Sequence, residues 1–339
     1  MNPTNTTQSS PSVLITGGAG FLGSLLAERL LAADSFLAGG RNFGSLGQLT
    51  LLDIVAPRDS ICGDPRVRTV EGPVQDVVPQ LGEFDAIFHL AGVVSGAAEA
   101  DFDLGMRTNV DATRQLLQHA RDFPTPAVFV FASSLAVYGA DPAIGPVGEV
   151  DDDTLPRPQS SYGVQKFIGE QLVADFSRKG FIDGRTVRLM TVCVRPGRPN
   201  AAASSFMSGI IREPLAGVTA SCPVAPDTEI ALSSPRLTID GIIAAAAVDA
   251  ATWGSRTAMN LPALTTTPRR MAEAMDRVTG TNSSSLIEWE HDDTVAAIVE
   301  SWPSRFTTSR AHRLGLHPPG SFDEIVAEYI ATAQVAPSF

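Results

Sequence analysis

The chain has 339 residues, of which 44% are hydrophobic and 18% charged, so it carries enough apolar sequence for a sizeable core. Its net charge of −12 argues against a nucleic-acid partner, because binding phosphates needs clustered Lys and Arg. No apolar run approaches the roughly 20 residues of a membrane span. Residues 1–11 are polar and are expected to form a tail rather than a signal peptide. Three widely spaced cysteines fit reduced thiols in a cytoplasmic protein.

Short apolar segments alternate with segments of helical periodicity through the N-terminal two-thirds of the chain. Strands are predicted at 12–16, 49–54, 67–72, 86–92, 128–134 and 187–194. Helices are predicted at 21–34, 101–122 and 161–178. Strands that are apolar throughout and alternate with helices indicate a parallel sheet covered on both faces. The predicted fold class is therefore α/β, a doubly wound parallel Rossmann sheet.

The C-terminal part has a looser pattern and is expected to form a smaller substrate-binding lobe that faces the strand ends. The glycine-rich stretch 35–47 is interpreted as a surface insertion. The other predicted elements of this part are helices at 205–217 and 239–253 and strands at 258–263 and 285–290. The predicted domains are a dinucleotide-binding domain, 12–194 with 236–262, and a lobe, 195–235 with 263–339. Trp289 and Trp302 are expected in the core of the lobe.

A glycine-rich segment, TGGAGFLG, lies between the first strand and the first helix. Gly17 permits a tight turn, Gly20 lets the backbone approach a pyrophosphate, and Gly23 lets helix and sheet pack closely. The N-terminus of the helix, with Phe21 and Leu22 in its first turn, offers N–H groups and a partial positive charge to phosphates. This context predicts a dinucleotide site.

An acidic residue, Asp53, falls at the end of the second predicted strand. A carboxylate there would accept hydrogen bonds from the adenosine ribose and repel a 2′-phosphate, so NAD is favoured over NADP. The alternative is a solvated strand-end residue. Leu90, Ala91 and Gly92 close the fourth strand, where small residues would let the cofactor lie against the sheet edge. Taken alone, this triplet fits packing equally well.

Tyr162 and Lys166 are spaced i, i+4 on a predicted helix and so share one face. The chain contains only two lysines, and one of them stands here. Tyrosine has a pKa near 10, and an adjacent ammonium, aided by a positive nicotinamide ring, would lower it. Tyr162 is therefore the predicted base for a hydroxyl proton, while Ser134 at the end of the fifth strand would donate a hydrogen bond to the substrate oxygen. Lys166 is also expected to bind the nicotinamide ribose.

Four segments in this order, TGGAGFLG, HLAG, ASSLAVYG and SYGVQK, resemble the extended short-chain dehydrogenases/reductases, a family that includes sugar-nucleotide epimerases and dehydratases. The resemblance implies that Ser134 is the proton-relay serine, with Ser133 beside it at the cofactor. It implies that Asn109 holds the active-site geometry and touches the cofactor. It also implies that Leu189 and Thr191 contact the nicotinamide carboxamide, and it suggests a homodimer formed by helix pairing.

The segment after the sixth strand departs from the sugar-nucleotide enzymes. The run RPGRPNAAASSF…REPL, which starts at Arg195, resembles a branch that oxidises C2 of a four-carbon sugar acid, D-erythronate, to the 2-oxo acid. A substrate carboxylate calls for a bidentate arginine, and the candidates are Arg195 and Arg212, with Arg212 slightly favoured. Each of them fits an ordinary ion pair equally well. Ser95 is a candidate for a substrate hydroxyl, although a turn-forming serine is the simpler interpretation.

Two further functions stay open from the sequence. One is a nucleotide-sugar epimerase or dehydratase with tightly bound NAD, and the other is a non-catalytic NAD-binding regulator. No metal site is predicted, because His291 with Asp292 and Asp293 is better explained as an acidic helix start in which an aspartate is the N-cap.

Overall fold

The computed structural model describes residues 10–197 and 202–335. Its strands are β1 (Ser12–Thr16), β2 (Leu37–Ala38), β3 (Arg41–Asn42), β4 (Gln48–Asp53), β5 (Val67–Glu71), β6 (Ala86–His89), β7 (Val128–Ser134), β8 (Asp183–Leu189), β9 (Thr191–Val192), β10 (Ala220–Cys222), β11 (Ile230–Ser233), β12 (Met259–Asn260), β13 (Leu264–Thr266) and β14 (Ile287–Trp289). Its α-helices are α1 (Phe21–Ala32), α2 (Asp59–Cys62), α3 (Val74–Val77), α4 (Ser95–Ala100), α5 (Phe102–Gly105), α6 (Ala112–Arg121), α7 (Ser161–Arg178), α8 (Phe206–Leu215), α9 (Pro235–Ala247), α10 (Ala250–Trp253), α11 (Pro268–Thr279), α12 (Asp293–Glu300), α13 (Ser309–Arg313) and α14 (Phe322–Val335).

A seven-stranded sheet forms the centre of the molecule, in the order β5-β4-β1-β6-β7-β8-β12. Each neighbouring pair is parallel. The chain moves outward from β1 to β4 and β5, and then returns to β6 on the other side of β1. Ligands of open α/β sheets bind at such a reversal, beyond the carboxyl ends of the strands. The predicted doubly wound Rossmann fold is confirmed, and its binding edge lies at the ends of β1 and β6.

Both faces of the sheet are covered, because alternate residues of each strand point to opposite sides. In β1, Val13 and Ile15 pack in one core with Leu26 of α1 and Ile242 of α9. Leu14 points the other way, into a core formed with α6 and α7. Continuous apolar strands are the consequence of this two-sided burial.

A second core lies outside the large sheet and joins α8, α11, α12 and α14 to small strands. Here β10 pairs with β14, while β11 pairs with β9 and β13. The chain then returns to the large sheet, where Ala311 of α13 packs into the core formed with α1 and α9. The division into 12–194 with 236–262 and 195–235 with 263–339 stays a prediction. No helix of the described ranges is long and apolar enough to cross a membrane.

The interpretation of residues 35–47 as a surface insertion is wrong for part of the segment. Phe36, Ala38 and Leu46 are buried in the core beneath the sheet. The strands β2 and β3 form a hairpin, and the N–H groups of its turn, at Gly39 and Gly40, donate to the last carbonyls of α9. The hairpin therefore caps a helix that would otherwise end with unpaired carbonyls.

The predicted helix 101–122 is interrupted. The side chain of Asp101 accepts a hydrogen bond from Leu104 at the start of α5, and residues Met106–Asp111 then form a π-helical turn that leads into α6. Such turns are frequent at functional sites. The predicted strand 187–194 is also divided: β8 ends at Leu189, and β9 joins a different sheet. An apolar run does not reveal which sheet its residues join.

Candidate active site

One cleft of about 830 Å³ runs along the carboxyl edge of the large sheet. It gathers nearly every residue singled out in the sequence: Gly17, Gly20, Phe21, Leu22, Gly23, Asp53, Leu90, Ala91, Gly92, Ser95, Ser133, Ser134, Tyr162, Lys166, Leu189, Thr191, Arg195 and Arg212. Asn109 lies behind the wall of the cleft. Since one cleft holds both the glycine turn and the Tyr–Lys pair, a dinucleotide bound at the turn and a small substrate would share one site.

The glycine turn has the shape that a phosphate loop needs. Gly17 has φ +72°, and a side chain at Gly23 would place its Cβ only 2.0 Å from the Gly17 carbonyl oxygen. Gly20 is the N-cap of α1, and it provides no side-chain hydrogen bond to the helix. The first N–H groups of α1 therefore face the cleft without a side-chain cap, as phosphate binding requires.

Asp53 ends β4 beside this turn. One of its carboxylate oxygens accepts a hydrogen bond from the Ala19 N–H at 3.0 Å, and the other accepts one from the Ile54 N–H at 2.7 Å. The side chain therefore holds the glycine turn as well as facing the cleft, a role that the sequence analysis did not anticipate. A carboxylate has several acceptor lone pairs, so these two bonds leave capacity for ribose hydroxyls.

Lys166 is buried one turn beyond Tyr162 on α7. Its Nζ donates a hydrogen bond of 2.9 Å to the carbonyl oxygen of Ala132 at the end of β7, and it lies 5.7 Å from the centre of the Tyr162 ring. Burial lowers the pKa of Lys166 to about 8, although the charge of Glu170 opposes this shift. The bond to Ala132 and the charge of Glu170 thus offset only part of the cost of burying the Lys166 ammonium group in the cleft. This is expected of a group that binds a polar ligand.

Tyr162 is half-buried and hydrogen-bonds with Ser134. Burial raises the pKa of Tyr162, and this outweighs the hydrogen bond with Ser134 and the charge of Arg195, which both lower it. These two favourable contributions are smaller than the effect of burial, and the lowering expected from Lys166 together with a nicotinamide ring stays a prediction. The Ser134 hydroxyl also accepts a hydrogen bond from the Ala136 N–H at 3.1 Å, which fixes its direction.

Asn109 lies on the π-helical turn and is fully committed to the protein. Its Oδ1 accepts from the Val93 N–H at 2.8 Å, while its Nδ2 donates to the Val93 carbonyl and, at 2.7 Å, to Oε1 of Gln165. These bonds join the segment after β6 to α7, the helix of Tyr162 and Lys166. The arrangement suits a residue that holds the site's geometry, and the cofactor contact expected of Asn109 stays a prediction.

Ser133 turns away from the cleft. Its hydroxyl donates to Oε1 of Glu170 at 2.5 Å, so only the rest of the residue contributes to the cleft wall. Glu170 is also paired with Arg188 in the interior. The sequence analysis missed both charged residues, although Glu170 follows Lys166 by four residues and Arg188 interrupts an apolar strand.

The two candidate arginines differ in their partners. Arg212 donates to the backbone carbonyl of Arg195 at 2.8 Å and pairs with Glu213 at 2.5 Å. The Arg195 N–H donates to the Ser208 hydroxyl at 3.0 Å, so α8 holds the backbone of Arg195 from two sides. Within residues 10–197 and 202–335, no carboxylate pairs with the Arg195 guanidinium. Its charge acts on Tyr162, so Arg195 is the better placed cation for a substrate carboxylate.

The remaining residues predicted from the sequence are Ser95 and the two tryptophans of the lobe. The Ser95 hydroxyl accepts a hydrogen bond from the Ala203 N–H at 3.3 Å, which ties the lobe to α4. Trp302 lines the cleft and packs beside Leu135 and Met190, whereas Trp289 is 42% exposed and the prediction of a core position for it is wrong. Residues 198–201 of the RPGRPN segment lie outside the described residues.

Metal ligands are not gathered in the part of the chain that the structure describes, where no group of three or more His, Cys, Asp or Glu side chains is arranged to hold an ion. The interpretation of His291, Asp292 and Asp293 as a helix start is supported, since the Asp292 side chain caps α12 by accepting hydrogen bonds from Thr294 and Val295.

A glycine turn at the reversal of a doubly wound sheet, with a Tyr–Lys pair and a serine in the same cleft, defines an oxidoreductase of the short-chain dehydrogenase/reductase class. The chain belongs to the NAD dependent epimerase/dehydratase family, whose sequence model matches residues 13–229. Its cofactor is NAD. The residues fit that group, since the turn presents uncapped helix N–H groups, and Gly92 lacks a Cβ that would lie 3.3 Å from the Lys166 Nζ.

Two curated relatives are similar to the chain over nearly their whole length. D-erythronate dehydrogenase of Cupriavidus necator is 49% identical over 329 residues, which cover 96% of this chain and 99% of the relative. D-erythronate dehydrogenase of Haemophilus influenzae is 41% identical over 325 residues, or 94% and 98% of the two chains. The crystal structure of a nucleoside-diphosphate-sugar epimerase from Agrobacterium tumefaciens has a TM-score of 0.85 and 34% identity, and covers 99% of this chain and 98% of that one.

Proposed function

We propose that this protein is an NAD-dependent dehydrogenase that oxidises the C2 hydroxyl of a short sugar acid, D-erythronate or a close analogue, to the 2-oxo acid. The observation that carries the substrate class is Arg195, a half-buried guanidinium whose charge reaches Tyr162 and which has no carboxylate partner among the described residues. A bidentate arginine suits a carboxylate next to the reacting carbon. The names of the relatives from Cupriavidus necator and Haemophilus influenzae support the same choice.

The proposed substrate contacts divide the cleft near Tyr162. Arg195 binds the carboxylate, and Ser134 donates a hydrogen bond to the C2 oxygen. Tyr162 accepts the proton of the C2 hydroxyl. Arg212 acts through the backbone of Arg195, because its guanidinium is committed to the Arg195 carbonyl and to Glu213. The Ser95 hydroxyl accepts from the Ala203 N–H, and it stays a candidate to donate its own proton to a substrate hydroxyl.

The proposed cofactor contacts lie along the other half of the cleft. When bound, NAD accepts the hydride that leaves the substrate carbon. Gly17, Gly20 and Gly23, with the first turn of α1 at Phe21 and Leu22, hold the phosphates. Asp53 accepts hydrogen bonds from the adenosine ribose. Lys166, at the other end of the cleft, binds the nicotinamide ribose. The remaining proposed contacts are those of Leu90, Ala91, Gly92, Asn109, Ser133, Leu189 and Thr191.

Proton movement in this scheme depends on Lys166. Its ammonium lies 5.7 Å from the Tyr162 ring, where a positive charge favours a tyrosine that has lost its proton. Burial raises the pKa of Tyr162, so loss of its proton depends on the positive charges near its ring, those of Lys166 and Arg195. Ser134, which hydrogen-bonds with Tyr162, provides the path between the substrate oxygen and the phenol.

The test is the absorbance of NADH with NAD and a panel of four- and five-carbon aldonic acids, including both C2 epimers. We expect turnover with a four-carbon acid and none after esterification of its carboxylate. Tightly bound NAD with epimerisation of a nucleotide sugar and no NADH release would support an epimerase instead. The similar structure from Agrobacterium tumefaciens carries that name. NAD binding without turnover of either class would favour a regulator.

We also propose that the protein acts in the cytoplasm and forms a homodimer by helix pairing. The location rests on the three free, widely spaced cysteines, and the dimer rests on the family resemblance. Size-exclusion chromatography with light scattering would measure the dimer, and a monomer at micromolar concentration would contradict it.

A further inference from the structure

A chain of buried polar side chains lies directly behind the catalytic cleft and is not used by the mechanism above. Glu170 is 2% exposed and Arg188 5% exposed, and they form a two-pronged ion pair, with Arg188 Nε 2.9 Å and Nη2 2.7 Å from the two carboxylate oxygens. Arg188 also donates to the Tyr138 hydroxyl at 2.5 Å, and that hydroxyl donates to Asn260 at 3.1 Å. The network thereby joins α7, β8 and β12.

Each end of the ion pair is next to a residue of the cleft. Glu170 stands one turn after Lys166 on α7, and it accepts a hydrogen bond from Ser133, the neighbour of Ser134 on β7. Arg188 precedes Leu189, whose side of β8 forms part of the cleft wall. One carboxylate therefore determines how the helix of the Tyr–Lys pair is placed against the two strands that carry the other site residues.

We propose that Glu170 is a positioning residue of this enzyme, which fixes the helix of Lys166 and the Ser133–Ser134 strand end through its buried pair with Arg188 and its bond from Ser133, and which places a carboxylate one helical turn from Lys166. This inference rests on the proposed role of Lys166. A buried ion pair contributes little net stability compared with apolar residues of the same volume. Its place beside the reacting groups suits a role in geometry and charge rather than in stability.

Charge supports the same role. Burial lowers the pKa of Lys166 to about 8, and the carboxylate of Glu170 acts against that change. The other ionisable groups that interact with Lys166 or with Glu170 do not titrate near neutrality. Burial holds the pKa of His89 at about 3, the pKa of Tyr138 is raised by burial, and Arg188 keeps its charge because Glu170 raises its pKa. Lys166 is thus the titrating group of the cleft on which the charge of Glu170 acts.

The chain offers a direct measurement, because its two lysines are Lys166 and Lys179. Lysine labelled with ¹³C at Cε gives two signals by NMR, whose shifts are followed against pH in the protein without substrate. In Glu170→Gln we expect the Lys166 titration to move to lower pH by about one unit. The signal of Lys179, an exposed residue beyond the end of α7, is the internal reference and stays the same in both proteins.

Kinetics provide the second readout. In Glu170→Gln, kcat at pH 8.5 should fall about sixfold more than kcat at pH 6.5, since lowering a pKa of about 8 by one unit reduces the ammonium fraction about eightfold at pH 8.5 and only slightly at pH 6.5. The NAD dissociation constant at pH 6.5 should change less than kcat at pH 8.5. A purely structural role would lower kcat equally at both pH values. An unchanged Lys166 titration in folded Glu170→Gln would overturn the proposal.

Two further variants protect the test against misfolding. Glu170→Gln with Arg188→Met removes both charges, so no lone charge remains buried. We expect the double variant to fold and to keep the lowered Lys166 titration, and a wild-type titration in it would refute the charge role. Ser133→Ala removes one hydrogen bond to Glu170 and no charge. It should lower kcat several-fold, and an unchanged kcat would refute the positioning role. The NMR titration needs no substrate, so its outcome is separate from that of the sugar-acid proposal.

Discussion

The guanidinium of Arg212 donates a hydrogen bond of 2.8 Å to the backbone carbonyl of Arg195. This contact makes one arginine the support of the other, whereas the sequence slightly favours Arg212 over Arg195 for a substrate carboxylate. Arg212 has Glu213 as a partner, and Arg195 has no carboxylate partner among the described residues. The hydrogen bond therefore decides which arginine we expect to meet the substrate.

Replacement of the two arginines should separate their roles. Arg195→Met should raise KM for the sugar acid about 100-fold, because a buried charge–charge contact is lost. Arg212→Met should raise it about tenfold, since only the placement of Arg195 is affected. Steady-state kinetics at fixed NAD measure both, with the NAD dissociation constant as the control, which should be the same in all three proteins. A larger effect of Arg212→Met would show that Arg212 is the carboxylate ligand.

Removal of the Tyr162 hydroxyl tests the proposed base. Tyr162→Phe should lower kcat by about 10³-fold, within the range typical of a lost general base, and leave NAD binding intact. Tyr329→Phe on α14 is the control, because this tyrosine packs in the core of the lobe, near Arg212 and Glu213, and is not itself part of the described wall of the cleft. Single-turnover formation of NADH measures the chemical step. Equal rates for Tyr162→Phe and the wild-type protein would refute the mechanism.

The sequence was a good guide to the cleft wall, because its parts are local. The glycine turn, the Tyr162–Lys166 spacing and Ser134 after an apolar strand each depend on a few consecutive residues, and a parallel sheet brings strand ends to one edge. It was a poor guide to Glu170 and Arg188. These residues come together across 18 positions by tertiary packing, and in the sequence a charged residue on a helix is usually solvated.

The lobe and the segment 35–47 were also harder to predict, because burial there depends on tertiary packing. Trp289 and Trp302 look equivalent in sequence, but one is 42% exposed and the other lines the cleft beside Met190. Residues 35–47 contain enough glycine to suggest a loop, yet Phe36 enters the core. Burial at these positions is set by which helices lie above them, and periodicity carries no information about that.

Charge removal at Asp53 should relax the choice of cofactor. In Asp53→Asn the side-chain oxygen can still accept from the Ala19 N–H, so the bond that holds the glycine turn is kept, whereas the bond from the Ile54 N–H and the repulsion of a 2′-phosphate are lost. We expect the ratio of kcat/KM for NADP to that for NAD to rise about tenfold or more. Asp85→Asn is the matched control, because Asp85 accepts from the Ser12 N–H at the opposite edge of the sheet. An unchanged ratio would mean that Asp53 only holds the turn.

Lys166 should reduce stability at neutral pH, because burial lowers its pKa from 10.5 to about 8. Below pH 8 the folded protein carries a buried ammonium at a cost, and between pH 8 and 10.5 the unfolded chain binds the extra proton, so this cost shrinks as the pH rises. Lys166→Met should therefore stabilise the protein by about 2 kcal/mol at pH 7, and by about half of that at pH 9.5.

Urea unfolding at the two pH values measures this difference. Lys179→Met is the control, since an exposed lysine should give no change at either pH. A destabilised Lys166→Met protein at pH 7 would show that the hydrogen bond to Ala132 outweighs the cost of the buried charge.

Trp302 should limit the length of the substrate. Its side chain lines the cleft and packs beside Leu135 and Met190, the neighbours of Ser134 and Leu189, so the indole borders the region where the far end of a sugar acid would lie. Trp302→Ala should raise kcat/KM for five- and six-carbon aldonic acids about tenfold relative to the four-carbon acid. Trp289→Ala removes an exposed indole from the same lobe and should leave the ratio unchanged. If both variants lower all the rates in parallel, Trp302 supports the lobe and does not select the substrate.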